Sequence, residues 1–383
     1  MCVNRGEVDD CGSDVFCYNA SMLDVVLQWG YIGPATLIVV GMVILVSGGE
    51  ILVRGASQLA VATKIPPVIV GLTIVAFGTS APELAVSLSA VLKGSADLAV
   101  GNVVGSNICN IGLILGIAAL LSPIAVSSSL IRREIPIMVV LTFLMYLLAV
   151  FGTTTPVSEL FCEQFDGGLI LPWGGGLLVA LLVAYMGWTI FELRYRKESN
   201  RVYAHELEEN VLPDKECPEQ KIGGWKHMLL YVLLIITGII LLVIGSDLMV
   251  QGSVRIAKLM GVSEFIIGLT ILAVGTSLPE LMVTLLAAMK RQSDIAIGNV
   301  IGSNIFNVLG VLGITALFSG GTSYGGLQVS AQALRFDMPV MILMSLFCMV
   351  ICITGRRVTR GEGVFLLLCY AAYIAALCVM AGS

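Results

Sequence analysis

Residues 71–110 read GLTIVAFGTSAPELAVSLSAVLKGSADLAVGNVVGSNICN, and residues 268–307 read GLTILAVGTSLPELMVTLLAAMKRQSDIAIGNVIGSNIFN. The copies lie 197 residues apart, align without a gap and agree at 25 of 40 positions. Each sets one glutamate, Glu83 or Glu280, in an apolar run beside a proline and a Thr-Ser pair. Each then offers Asn, Ser and Asn at spacings of four. An acid kept at matching places in two apolar segments points to one ion-binding site inside a membrane.

The surrounding chain fits that setting. It is 57% hydrophobic and 12% charged, with a mean hydropathy of +0.96. Soluble domains carry about 25% charged residues. Apolar runs long enough to cross a ~30 Å hydrocarbon core recur along it. Ten are predicted, near 32–58, 65–92, 97–121, 134–152, 169–192, 227–253, 262–288, 295–318, 334–354 and 362–381. The expected fold is an all-α polytopic membrane protein.

Positive charge orients it. With ten spans and the amino terminus outside, 16 of the 21 basic residues fall on the inner side and 5 on the outer. Short cytoplasmic loops hold the excess of Lys and Arg, so both termini are expected outside and the middle loop in the cytoplasm. Residues 1–30 form an outer tail without the positive head and apolar stretch of a signal peptide. Residues 194–226 read as a cytoplasmic linker, too short for an ordinary folded domain. Cys2, Cys11, Cys17 and Cys162 fall outside, where three pairings are possible and none is favoured. No nucleic-acid partner is expected of this composition.

The repeat extends beyond its core, because GMVILVSGGE (41–50) aligns with GIILLVIGSD (238–247) at the same offset. Each half, 31–193 and 227–383, then holds five spans. Five is odd, so equivalent spans cross in opposite directions and the halves are inverted repeats. Transporters built this way place their site at the repeat interface near the bilayer midplane. Glu50 and Arg54 lie four apart on the first span, as an ion pair would. Asp247 and Gln251 match them, so the acid recurs without the base.

A charge at the bilayer centre costs at least ~2.5–3.5 kcal/mol, so Glu83 and Glu280 need a cation, a donor or a proton. Pro82 and Pro279 lack an amide hydrogen, which frees the carbonyls of Gly78 and Gly275 and kinks or breaks the helix. Such a break is tolerated where it lines a cavity or is buried in protein. Thr79, Ser80, Thr276 and Ser277 put hydroxyls beside the carboxylates. On the following spans Asn102, Ser106 and Asn110, with Asn299, Ser303 and Asn307, form polar stripes. Gly101 with Gly105, and Gly298 with Gly302, are small-residue pairs that let a neighbouring helix come close. Asn102, Asn107, Asn299 and Asn304 read first as hydrogen-bonding glue between helices. Asp97 and Asp294 read as helix N-caps.

The polar inventory is all oxygen and amide, with no thiolate or imidazole. Hard cations take oxygen ligands, and calcium takes six to eight. Two carboxylates balance one calcium or two sodium ions, which should therefore compete. Protons should compete as well, so acid should inhibit.

GTSAPE with GNVVGSNICN, and GTSLPE with GNVIGSNIFN, resemble the two alpha repeats of the sodium/calcium exchanger family of cation/calcium antiporters. The resemblance covers essentially the whole chain after residue 30, and is closest to the compact prokaryotic-type members. It implies exchange of sodium for calcium by alternating access across a plasma or inner membrane, with no cofactor beyond the transported ions. Three sodium ions against one calcium would move one net charge per cycle. By the same resemblance Glu83, Glu280, Thr79, Thr276 and the carbonyls of Ala76 and Ala273 ligate calcium. Ser80, Ser106, Ser277 and Ser303 line sodium sites, and Asn110 and Asn307 complete the centre. Potassium-dependent members carry Asp at the place of Asn307, which weighs against potassium dependence here. Proton-coupled relatives carry a different acidic motif. A channel would set like motifs in one orientation around a pore, and an intramembrane carboxyl protease gains nothing from duplicated Thr-Ser and Asn stripes.

Overall fold

The structure is a computed structural model that describes residues 30–63, 65–92, 96–152, 167–195, 225–260, 273–321 and 325–382. The tail through residue 29, Cys162 with its acidic loop, most of the 194–226 linker and residues 261–272 lie outside the described residues.

Helix dominates, as apolar segments without water to satisfy their backbone require. α1 spans Ile32–Thr63 and α2 is a bent pair, Pro67–Thr79 and Ala81–Leu92, turning by 42°. α3 (Ala96–Leu121), α4 (Leu130–Phe151) and α5 (Pro172–Tyr195) complete the first half. The second half holds α6 (Trp225–Leu259), α7 (Leu278–Met289, after a short turn Ala273–Thr276), α8 (Ser293–Gly321), α9 (Ala333–Gly355) and α10 (Arg360–Gly382). Eight of these helices are long and apolar enough to span, and bent α2 makes a ninth. The described part of α7 has 12 residues, fewer than a crossing needs.

The centre of the molecule is set by burial. Within their apolar windows α8 is 89% buried and α3 is 78% buried, against 22% or less for α5, α6 and α10. The two spans that carry the Asn and Ser stripes are therefore the innermost ones. Val39, Val43, Val183, Trp188, Leu233 and Val379 face outward, as lipid contact demands.

α1 and α6 have 32 and 35 residues, so at 1.5 Å per residue they reach about 50 Å and must tilt to cross a bilayer. They pack on each other through glycine. A Cβ at Gly41 would lie 2.8 Å from the Gly245 carbonyl, and the reverse substitution meets the Gly41 carbonyl at 2.8 Å. Gly48 and Gly238 repeat the reciprocal contact. The expected Glu50–Arg54 pair forms at 3.7 Å, and Lys290 also reaches Glu50 at 3.3 Å. In the second half Gln251 donates to Asp247 at 2.7 Å, so a neutral amide does there what Arg54 does in the first.

Two small antiparallel ribbons tie the halves together. β1 (Ile124–Ala125) pairs with β4 (Arg357–Val358), and β2 (Gly168–Ile170) pairs with β3 (Leu327–Val329). Wider π-type turns interrupt the helices at matched places: Asn110–Ile114 in α3 with Asn307–Leu312 in α8, and Leu130–Glu134 in α4 with Ala333–Asp337 in α9. Such turns gather at functional sites, and the first pair starts at the two asparagines of the repeat.

Asp97 and Asp294 depart from the N-cap reading. Asp294 lies inside the first turn of α8 with Gln292 at the cap, and Asp97 lies in the first turn of α3. Both sit in the first turn, where the positive end of the helix dipole favours an acid.

Candidate ion-binding site

Each half contributes a broken helix and the helix after it. α2 breaks at Ser80 and its partner breaks at Ser277, both with ψ near zero, one residue after the Thr and two before the Pro. The proline, without an amide hydrogen, suits the first turn of the restarted helix. Glu83 and Glu280 therefore sit in a first turn, where backbone amides favour a carboxylate. The carbonyl that Pro279 frees, on Gly275, accepts a hydrogen bond from the Ser246 hydroxyl of α6 at 2.6 Å.

The halves are cross-braced. Ser80 donates to Glu280 Oε1 at 2.9 Å, and Ser277 donates to Glu83 Oε1 at 3.2 Å. Thr79 donates to Asn299 Oδ1, and Thr276 to Asn102 Oδ1, both at 3.2 Å. Asn102 Nδ2 reaches the Glu83 carbonyl and Ser87, while Asn299 Nδ2 reaches the Glu280 carbonyl and Thr284. Each of these bonds has its counterpart 197 residues on, so the sequence repeat is a two-fold relation in space. α2 approaches α8 closely enough for this because Gly298 and Gly302 have no side chain. A Cβ there would meet the Val68 carbonyl at 2.8 Å or the Leu72 carbonyl at 2.7 Å.

Glu83 and Glu280 are fully buried. Among the described residues no ion pair reaches either, and their side-chain partners are serine hydroxyls. Eight buried side-chain polar atoms of the described residues lack a hydrogen-bond partner. Six of them are Glu83 Oε2, Glu280 Oε2, Ser106 Oγ, Ser303 Oγ, Asn110 Oδ1 and Asn307 Oδ1, three pairs at the repeat offset. Ser106 lies beside Glu83 and Ser303 beside Glu280. Asn110 and Asn307 follow these serines by four residues. A native interior leaves few polar atoms unpaired. Six oxygens, two of them from carboxylates that no ion pair reaches among the described residues, match the donor set of a hard cation.

The residues expected at the site separate into groups. Glu83, Glu280, Ser106, Ser303, Asn110 and Asn307 supply the unpartnered oxygens. Ser80, Ser277, Thr79 and Thr276 make the cross-braces. The Ala76 carbonyl already accepts from the Ser80 amide at 3.0 Å and from the Thr79 hydroxyl at 3.3 Å. It is open to an ion only when that hydroxyl turns wholly to Asn299. Ala273 opens the matching turn. Asn102 and Asn299 are more than glue, because each holds a glutamate backbone in its own half and a threonine from the other. Ser87 and Thr284 went unnoticed in the sequence. A hydroxyl kept at the same offset through a Ser-to-Thr change was the signal.

Two inverted halves meeting over a buried carboxylate pair define a secondary-transporter architecture. The family described as sodium/calcium exchanger protein matches residues 34–191 and 230–379. The chain belongs to that family. It is 38% identical to the "Putative antiporter CaxA" of Alkalimonas amylolytica over 339 residues, which cover 88% of this chain and 96% of that one. It is 34% identical to the "Sodium/calcium exchanger MaX1" of Methanosarcina acetivorans over 353 residues, covering 89% and 97%. Among solved structures, the sodium-calcium exchanger NCX_Mj soaked with sodium aligns with a TM-score of 0.70 at 28% identity, over 90% of this chain and 98% of that one.

Proposed function

We propose that the protein is an antiporter, not an enzyme, that exchanges sodium for calcium through the Glu83–Glu280 site by alternating access. The observation that carries the reading is the set of six unpartnered buried oxygens in three repeat-related pairs, one pair from two carboxylates that no ion pair reaches among the described residues. The printed functions of the family and of MaX1 agree with it. Two fixed negative charges balance one calcium or two sodium ions, so each displaces the other. Calcium and sodium are cargo, not resident cofactors.

Ten spans in two five-helix halves, 31–193 and 227–383, with a linker at 194–226, remain the best account of the chain. The ribbons support it by parity. β2 pairs with β3, so an even number of crossings separates residues 170 and 327. α5, α6 and α8 make three, and the segment ending in α7 supplies the fourth. Both strands then lie outside and the β1–β4 ribbon inside, with the basic residues mostly on the ribbon's inner side and both termini outside. A plasma or inner membrane suits a protein that expels calcium.

Calcium-45 uptake into proteoliposomes, driven separately by imposed sodium, potassium and proton gradients, tests the reading. Sodium alone is expected to drive uptake, because amides at Asn110 and Asn307 leave the site with two negative charges. Uptake driven equally by potassium or protons would replace it with another coupling. Acid adds a second expectation. Protons compete with cations for two facing carboxylates, so exchange falls on acidification and recovers with excess calcium. A flat rate down to about pH 5 contradicts the carboxylate site.

A further inference from the structure

We propose that Asn107 and Asn304 are positioning residues that decide which way the Asn110 and Asn307 carboxamides face, with Met138 as the end stop of one of the two relays. The inference rests on the ion-site reading above and adds residues that touch no ion.

A carboxamide has an accepting end and a donating end. Only Oδ1 can serve a cation, and the reverse orientation would aim N–H groups at a place that must hold positive charge. The direction is set at the far ends of two short relays. Asn307 Nδ2 donates to Asn107 Oδ1 at 3.1 Å, and Asn107 Nδ2 donates to the main-chain carbonyl of Asn304 at 3.4 Å. A carbonyl only accepts, so Asn107 must turn its nitrogen there and its oxygen toward Asn307. Asn307 then turns its nitrogen outward and leaves Oδ1 for the site. In the other relay Asn110 Nδ2 donates to Asn304 Oδ1 at 3.0 Å, and Asn304 Nδ2 donates to Met138 Sδ at 3.6 Å. A thioether is likewise acceptor-only. Both relays cross from one half to the other, and all five side chains are buried.

The ends differ. One is backbone that no substitution removes, and the other is the weak acceptor of a single side chain on α4. Met138→Leu conserves volume closely but takes away that acceptor. Either end of the Asn304 amide is then equally unsatisfied there, and the bias on Asn110 is lost. Met138→Gln returns an acceptor at similar reach.

Calcium-45 exchange in proteoliposomes tests this with both variants of the full chain. Met138→Leu is expected to raise the half-saturating calcium about tenfold, the low end of the roughly 10–100-fold range for partners of metal ligands. Its maximal rate and thermal midpoint should move far less. Met138→Gln should recover most of the affinity. Wild-type half-saturation in Met138→Leu overturns the proposal. So does an equal loss in both variants accompanied by a lowered thermal midpoint, which would make Met138 a packing residue only. Glu280→Gln run in parallel separates the levels: exchange retained there overturns the ion-site reading. Exchange lost there, with Met138→Leu unchanged, overturns the relay alone.

Discussion

Glu83→Gln, or Glu280→Gln, abolishes calcium exchange and leaves a folded protein in the membrane. The change is isosteric, and the new carboxamide keeps an oxygen to accept the bond from Ser277 or Ser80 that crosses between halves. What disappears is half the negative charge of a site that no ion pair reaches among the described residues. A single carboxylate no longer balances a divalent ion. The expected loss is at least about a hundredfold, on the order of 3 kcal/mol, the scale of one buried charge-assisted interaction. Stability should move the other way or not at all, since two buried like charges oppose each other when no cation lies between them. Exchange lost with the thermal midpoint held or raised is the signature, read by calcium-45 uptake and by thermal unfolding in detergent. Wild-type flux in either variant sinks the assignment.

Glutamate in an apolar run is legible because membrane sequence tolerates few charges, and a duplicated one stands out twice. The same economy made the spans and the inverted halves readable. Other features were hidden for physical reasons. Asn102 and Asn107 look alike in sequence, as polar residues on one helix. In the structure Asn102 holds a glutamate carbonyl and a threonine from the other half, while Asn107 holds the amide of Asn307. Roles set by a partner on another helix are invisible to helical spacing. The Ala76 carbonyl illustrates the reverse: resemblance points to an ion ligand, and the local turn already gives it two donors. Asp97 and Asp294 were misread as caps because their helices begin before them and not after. The π-type turns have no sequence signature at all, though two of them begin at Asn110 and Asn307, where the wider turn accompanies the change from stripe to centre.

Gly302→Val is expected to lose stability and exchange together, and so to separate scaffold from chemistry. A Cβ at Gly302 would come 2.7 Å from the Leu72 Cα, 2.7 Å from the Leu72 carbonyl oxygen and 2.8 Å from the Ala76 Cβ. Two of these are backbone atoms, which have no rotamer to change. α2 would have to move bodily off α8, and Thr79, Ser80 and Glu83 travel on α2. Its bonds to Asn299 and Glu280 are already 3.2 and 2.9 Å long and have little slack. Overpacking of this kind costs about 1–3 kcal/mol or more, so the thermal midpoint in detergent should fall by several degrees. Calcium-45 uptake should fall with it, even in the fraction that remains folded. Gly176→Ala on α5 provides the contrast, because its Cβ would meet only the Leu317 Cδ1 at 3.5 Å, an ordinary contact. If Gly302→Val exchanged calcium like wild type, α2 and α8 could not be in backbone contact, and the bonds that join the two glutamates across the halves could not form as described. The glutamate substitutions remove charge from an intact frame, and this one removes the frame from intact charges.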